Sequence, residues 1–258
     1  TGAPYMHEFL VMPCRRMQED DKDFTIACAV PVDAEGITIV ARPAGRPENP
    51  AAKMSAKFAQ AVGVAHFDNV FVPYDKVFID GETEEAHIMT THYATHHRHS
   101  CIGARAGFGD LLIGAGAMMA EANGLDVEKK GHMREKMVDL IKITEGFYAC
   151  GIAASTMGVH DEAGNFRPDQ IYANIGKLLL ANQIYDMHRL AHDLSGGLVV
   201  ALPGPDEDHN PSTAAVLQDV LRGNPDVTYE HRANVARFIE DLTASETGGW
   251  YSVISLHG

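Results

Sequence analysis

Gly107-Phe108-Gly109-Asp110-Leu111-Leu112-Ile113-Gly114-Ala115 lies inside a proline-free stretch that runs from Met89 to Gly124 and is dense in alanine, leucine and methionine. Within it Leu111, Leu112, Gly114, Ala115, Met118 and Met119 suit a buried helix. Beyond it, Val127 to Met157 predicts a second long helix, charged at its start and small-residue-rich at Cys150-Gly151-Ile152-Ala153-Ala154-Ser155. Phe166 to Leu194 predicts a third, with Pro168 near its first turn and Gly196-Gly197 at its end. Pro203 to Pro211 is an acidic loop, and two shorter helices are expected near Ser212 to Leu221 and Thr228 to Thr247.

Towards the N-terminus the texture changes at about Thr90. Phe9 to Met12, Phe24 to Val30, Ile37 to Val40 and Val62 to Val72 read as strands, the last stopped by Pro73. Asp33-Ala34-Glu35-Gly36 has the turn chemistry of a hairpin, and Pro43 to Ala52 reads as a loop. Strands first and helices afterwards predict an α+β chain, divided into a β-rich region over 1–86 and a helical bundle over 87–258. No internal repeat or low-complexity tract interrupts it.

The 258 residues are 45% hydrophobic, enough for a sizeable core, and carry a formal net charge of -14. That acidity argues against nucleic-acid binding, which needs a basic footprint. No apolar run approaches the ~20 residues of a membrane helix. Cys14, Cys28, Cys101 and Cys150 are scattered rather than arranged as a disulfide framework, so a reducing cytoplasm is the expected setting. The chain opens at Thr1 directly in a folded-looking motif, and is read as a piece of a longer protein.

His87, His92, His96, His97 and His99 crowd one short stretch. His92 and His96 have the spacing of a two-ligand metal site, but with no Glu between them and no third ligand evident, a polar cleft is the favoured reading and no metal is expected. Cys101 follows His97 by one helical turn, and is either a substitute ligand or a small buried residue.

Four segments together resemble one flavoprotein family. They are Thr1-Gly2-Ala3; Val64-Ala65-His66-Phe67-Asp68-Asn69-Val70-Phe71-Val72-Pro73; His97-Arg98-His99-Ser100 through to Ala115; and Leu190-Ala191-His192-Asp193-Leu194-Ser195-Gly196-Gly197-Leu198. Their order and spacing are similar to 4-hydroxybutyryl-CoA dehydratase and, more distantly, to the 4-hydroxyphenylacetate 3-monooxygenases. The resemblance implies an acyl-CoA-dehydrogenase-like fold, with a β-barrel-like middle domain followed by an antiparallel helical bundle. It also implies a helical domain before this chain and a further helix after it, FAD as cofactor, and a homotetramer.

The resemblance further implies a role for Thr1 beside flavin N5, with Gly2 and Ala3 keeping the backbone close to the ring. His97 falls on the histidine that ligates a [4Fe–4S] cluster in the dehydratase, and here it becomes a candidate acid or base. The cluster's cysteine, however, falls on Ala104, which has no thiolate to offer. The catalytic tyrosine falls on Cys101, two glutamates on Val62 and Ile254, and a lysine on Arg105. His7, Ser195, Gly196, Gly197, His257 and Gly258 are further cofactor-binding candidates. The Gly pair fits either an approach to the flavin pyrophosphate or a helix C-cap. Arg105 fits either a phosphate or carboxylate contact or an ordinary ion pair.

The expected function is therefore a cluster-free FAD-dependent oxidoreductase, in the form of a two-component phenol monooxygenase served by a flavin reductase. One alternative is a dehydratase or isomerase acting on an acyl-CoA. The other is a non-catalytic scaffold or partner subunit.

Overall fold

The computed structural model describes residues 2, 6–42, 53–58, 61–246, 248, 249 and 252, without the side chains of 55 and 56. Two compact units form: Thr1–Ala44 with Gln60–His97, and Gly45–Ala59 with Arg98–Gly258. No described helix is long and apolar enough to cross a membrane.

The first unit holds two small sheets. Antiparallel β1 (Glu8–Val11), β2 (Ile26–Pro31) and β5 (Val77–Asp80) form one, in the order β1-β2-β5. β3 (Ile37–Arg42) and β4 (Val62–Phe67) pair antiparallel as the other. Ala27, Ile79 and Ala86 make its core, flanked by Met12, Met17 and Met89, while Phe9 meets Phe67 edge to face at 5.3 Å.

The expected hairpin across Asp33–Gly36 does not form. β2 already has β1 on one edge and β5 on the other, so the turn hands the chain to the second sheet instead. Gly36 takes φ +89° there, and its carbonyl accepts from the Asp68 N–H at 2.9 Å. A Cβ at Gly36 would collide with the Asp68 carbonyl, so the close crossing itself requires glycine. The expected barrel is also corrected: among the described residues no ladder joins the two sheets, and without a continuous ladder a barrel cannot close. The strand expected over Val62 to Val72 stops at Phe67, because Asn69 turns into the left-handed region at φ +50°.

Helices dominate the rest. α2 runs Thr83–Ala122, starting before the texture change at Thr90 because Glu84 and Glu85 in its first turn favour the positive helix end. Short α1 (Lys53–Phe58) precedes it in the chain. α3 (Gly131–Thr156) begins after a turn in which the Asp126 carboxylate accepts from the Glu128 N–H at 2.8 Å. α4 covers Gln170–Ser195, not Phe166 onward. Phe166–Arg167 instead pairs with Val159–His160 as the two-stranded β6–β7, and Asp169 caps α4 by accepting from the Tyr172 N–H at 3.0 Å. α5 (Leu198–Ala201), α6 (Ala214–Val220) and α7 (Tyr229–Thr243) complete the order. The acidic loop contains one 3-10 stretch, Pro205–His209.

Ile102, Leu112, Met119, Leu140, Phe147, Leu180 and Leu194 are fully buried where α2, α3 and α4 meet. The contacts fix direction. Gly109 faces Thr144 and Met187, and Gly116 faces Met137 and Leu194, so numbering rises along α4 and falls along α3. α2 is thus parallel to α4 and antiparallel to α3. A Cβ at Gly109 would overlap Thr144, and one at Gly176 would overlap Ile102. Glycine at both places lets the helices approach this closely. Arg237 of α7 ties down the acidic loop, donating from Nη1 to Asp208 at 2.6 Å, with the Tyr229 hydroxyl donating to the same carboxylate at 2.7 Å.

Candidate functional site

Arg98, Cys101, Arg105 and Phe108 recur every third or fourth position of α2 and so share one stripe of the helix. The parallel α4 lies along that stripe in the second unit. Arg98 donates from Nη1 to Asn174 Oδ1 at 2.7 Å. Lys177, one turn further along α4, is only 7% exposed, and the ionisable groups acting on it are Cys101, Arg105 and Arg98. Burial pushes its ammonium below the usual lysine range; the Cys101 thiol opposes this, while Arg105 and Arg98 add to it. Arg105 is itself 8% exposed, with its guanidinium 5.8 Å from the Phe108 ring centroid.

His188 closes this stretch of the groove. Its ring lies 5.8 Å from Phe108 and 6.1 Å from Tyr185. Burial lowers its pKa to about 4, with the charges of His192 and Arg105 adding to the fall, so it is neutral near pH 7. The hydrogen-bond chain fixes its tautomer. The Ser252 hydroxyl gives its proton to the Gly248 carbonyl at 2.9 Å, so His188 Nε2, 3.3 Å from that hydroxyl, must be the donor. Nδ1 is left as an acceptor. His192 follows the same logic: Thr243 Oγ1 donates to the Ile239 carbonyl, so His192 Nε2 donates to Thr243 at 2.7 Å. Burial lowers the His192 pKa too, with Asp193 opposing.

The α4 terminus carries the expected serine–glycine run. Ser195 is buried and its hydroxyl donates to the Ala191 carbonyl at 2.8 Å. Gly196 and Gly197 adopt φ +67° and +78°, ending α4 and opening α5. Nothing lies within 4 Å of a Cβ placed on Gly197.

In the first unit, His97 stacks on Tyr93 at 5.9 Å. His92 and Tyr93 line an apolar groove of about 480 Å³ with Leu10, Met12, Ile88 and Met89. His7 is exposed just ahead of β1, and its carbonyl accepts from the Val32 N–H at 3.0 Å. Gly2 is half-buried. Thr1, Ala3, Ile254, His257 and Gly258 lie outside the described residues. Ala104 is exposed on α2, and Val62 opens β4. Among the described residues no three His, Cys, Asp or Glu side chains are grouped to hold a metal ion.

Of the sequence candidates, Cys101 and Arg105 are brought together, in company that sequence reasoning missed: Arg98, Lys177 and His188. Lys177 left one signal, a charge flanked by Ile175-Gly176 and Leu178-Leu179-Leu180. His188 left none, since its surroundings come from α2 and from Ser252.

The family model described as 4-hydroxyphenylacetate 3-hydroxylase C terminal matches residues 86–258, and its N-terminal counterpart matches residues 1–79. The 4-hydroxybutyryl-CoA dehydratase/vinylacetyl-CoA-Δ-isomerase of Clostridium aminobutyricum is 33% identical over 276 residues, covering 100% of this chain and 55% of that protein. The oxygen-tolerant archaeal 4-hydroxybutyryl-CoA dehydratase of N. maritimus superposes with a TM-score of 0.90 at 32% identity, over 100% of this chain and 52% of that one. The oxygenase component of 4-hydroxyphenylacetate 3-monooxygenase, complexed with FAD, gives 0.83 at 22% identity, over 97% and 52%. At that identity the likeness speaks for the fold alone. The chain thus spans about half the length of the relatives it matches.

Proposed function

The chain belongs to the 4-hydroxyphenylacetate 3-hydroxylase family, and from that premise we propose that it is part of an FAD-dependent oxidoreductase that hydroxylates a phenol with reduced flavin and oxygen. One observation carries this reading. Hydroxylase family models match 1–79 and 86–258, and the resemblance to the dehydratase would put its cluster-binding thiolate at Ala104, which has none to offer. This chain's residues do not fit the iron–sulfur cluster at that position, and no step is routed through it.

The residues do fit FAD. Gly196 and Gly197 expose backbone without side chains, and the space around Gly197 is open. Arg98 and Arg105 on α2 and Lys177 on α4 add positive charge to the same stretch of the helical unit. Reduced FAD, when bound, supplies together with oxygen the hydroxylating oxygen atom. Thr1, Gly2, Ala3 and His7 are assigned to the flavin ring, and Ser195, Gly196, Gly197, His257 and Gly258 to the rest of the cofactor. His97 is assigned as a proton acceptor or donor, since the resemblance places it at a site position of the family. Cys101 lines the site as a small, polarisable group in place of the dehydratase's tyrosine. The working protein is assigned to the cytoplasm as a homotetramer supplied by a flavin reductase, with a β-rich domain over 1–86 and a bundle over 87–258.

A second reading, an acyl-CoA dehydratase or isomerase, is favoured by the 33% identity and the TM-score of 0.90. The full-length protein, purified without oxygen and given FAD, separates the two by absorption spectrum and iron content. Flavin without iron is expected, followed by catechol formation when reductase, NADH and 4-hydroxyphenylacetate or another phenol are added. About four irons per subunit, with turnover of 4-hydroxybutyryl-CoA, would replace the proposal with the dehydratase. Neither flavin nor turnover would leave a scaffold subunit.

A further inference from the structure

α2 and α4 run parallel, and their C-terminal ends meet. Ser195 is the last residue of α4, and a carbonyl there has no partner within its own helix. A partner comes from the residue that follows α2: Asn123 Nδ2 donates to the Ser195 carbonyl at 3.3 Å. A second bond decides which way the Asn123 amide faces. Arg232 of α7 donates from Nε to Asn123 Oδ1 at 2.9 Å. A guanidinium can only donate, so the amide oxygen faces Arg232 and the amide nitrogen faces Ser195. Arg232 is itself pinned, since its Nη1 donates to the Leu221 carbonyl. The loop beyond Leu221 is tied to the end of α2, where the Asn224 N–H donates to the Ala122 carbonyl at 2.9 Å. Asn123 and Arg232 are both half-buried, which limits competition from water for these bonds.

The turn fixed in this way is the one that carries Gly196 and Gly197. The peptide between Ser195 and Gly196 is held at both ends: its carbonyl accepts from Asn123, and its N–H donates to the Asp193 carbonyl at 3.2 Å. A planar peptide held on both sides sets the direction in which the chain leaves α4. Asn123 also stands beside Gly196, its Nδ2 lying 3.7 Å from the place of a Cβ, whereas nothing lies within 4 Å of a Cβ on Gly197. We infer that Asn123, oriented by Arg232, is a positioning residue for the cofactor: it holds the Ser195–Gly196 peptide so that the backbone at Gly197 stays presented to the part of FAD beyond the flavin ring. This rests on the assignment of Gly196 and Gly197 to FAD. Asn123 acts through the turn and Arg232 acts through Asn123, so their effects are ordered.

Titrating the full-length protein with FAD and with riboflavin, followed by fluorescence, separates binding of the ring from binding of the rest. The unmodified protein is expected to bind FAD more tightly than riboflavin. Asn123→Asp keeps the shape and the Arg232 contact but removes the donor to Ser195. It is expected to weaken FAD about tenfold and leave riboflavin affinity unchanged, a split that a general loosening of the fold would not produce. Circular dichroism and Tm confirm folding, and Asn123→Ala, expected to show the same split, replaces it should Asn123→Asp fail to fold. Arg232→Met is expected to weaken FAD about threefold, and to add nothing on the Asn123→Ala background. A loss that persists there overturns the relay through Arg232. If folded Asn123 variants bind FAD normally, or lose riboflavin equally, the inference is overturned and the assignment of the glycine pair stands. If the unmodified protein binds riboflavin as tightly as FAD, that assignment falls and takes the inference with it.

Discussion

The sheet unit and the helical unit bury apolar surface in different ways. The helical unit gathers Phe147, Leu140, Leu180, Met119 and Leu194 into one core at 0% exposure. The sheet unit buries mostly small residues, Ala27 and Ala86 around Ile79, and leaves Phe24, Phe71 and Tyr74 about four-fifths exposed. Strands of four to six residues in two- and three-stranded sheets have too little shared face to cover large rings. Long helices presenting a continuous stripe do not have that limit. The chemistry follows the packing: a charged groove such as Arg105–Lys177 needs walls rigid enough to hold cations out of water, and α2, α3 and α4 provide them.

The largest effect should come from Phe147→Ala, at about 4 kcal/mol by urea denaturation, since it empties a fully buried site. Ile79→Ala in the sheet unit should cost about half as much, because three flexible methionines pack on its small cluster and can close in. Equal losses would break the comparison.

Next comes Arg237→Met, at about 3 kcal/mol, because it strands the Asp208 carboxylate in a largely buried place. Asp208→Asn on that background should recover part of the Tm. At present Arg237, by hydrogen bonding, holds Asp208 below the usual carboxylate range.

The third test is acid. Unfolded His188 takes up its proton near 6.5, and the folded residue only near 4. Between those values the unfolded chain binds more protons, so stability is complete above 6.5 and falls as pH drops towards 4. The loss should reach about 3 kcal/mol. His188→Gln should flatten the pH dependence of urea midpoints; an unchanged slope would mean the imidazole is wetter than its packing indicates.

Smaller still, Asp169→Ala should cost about 1 kcal/mol by freeing the cap of α4. Arg15→Gln in the sheet unit should leave the urea midpoint where it is, since the Arg15–Asp21 pair is open to solvent.

How much was legible in the sequence follows the same division. The bodies of α3 and α4 could be read because apolar periodicity and the Gly196 cap are local signals. The start of α4 could not, because Phe166–Arg167 is claimed by a pairing with Val159–His160. β5 carries no local signal beyond Pro73, and the Asp33–Gly36 turn has hairpin chemistry without forming a hairpin. In both cases the deciding fact is which strand β2 chooses as a neighbour, which turn chemistry does not encode. At the site, Cys101 and Arg105 were found through resemblance along a single helix. Lys177 and His188 became candidates only when α4 was laid beside α2, since their environment is made by residues distant in the chain.

The glycine contacts between the helices leave a trace that comparative genomics can look for. At Gly176 a methyl group would strike the end of Ile102, and at Gly109 it would strike Thr144. Each pair is therefore a single evolutionary character written at two positions. Lineages that acquire alanine at 176 should carry a shorter residue at 102, and those with alanine at 109 should trade threonine 144 for something smaller. Changes at one position without the other should be rare and short-lived on the family tree.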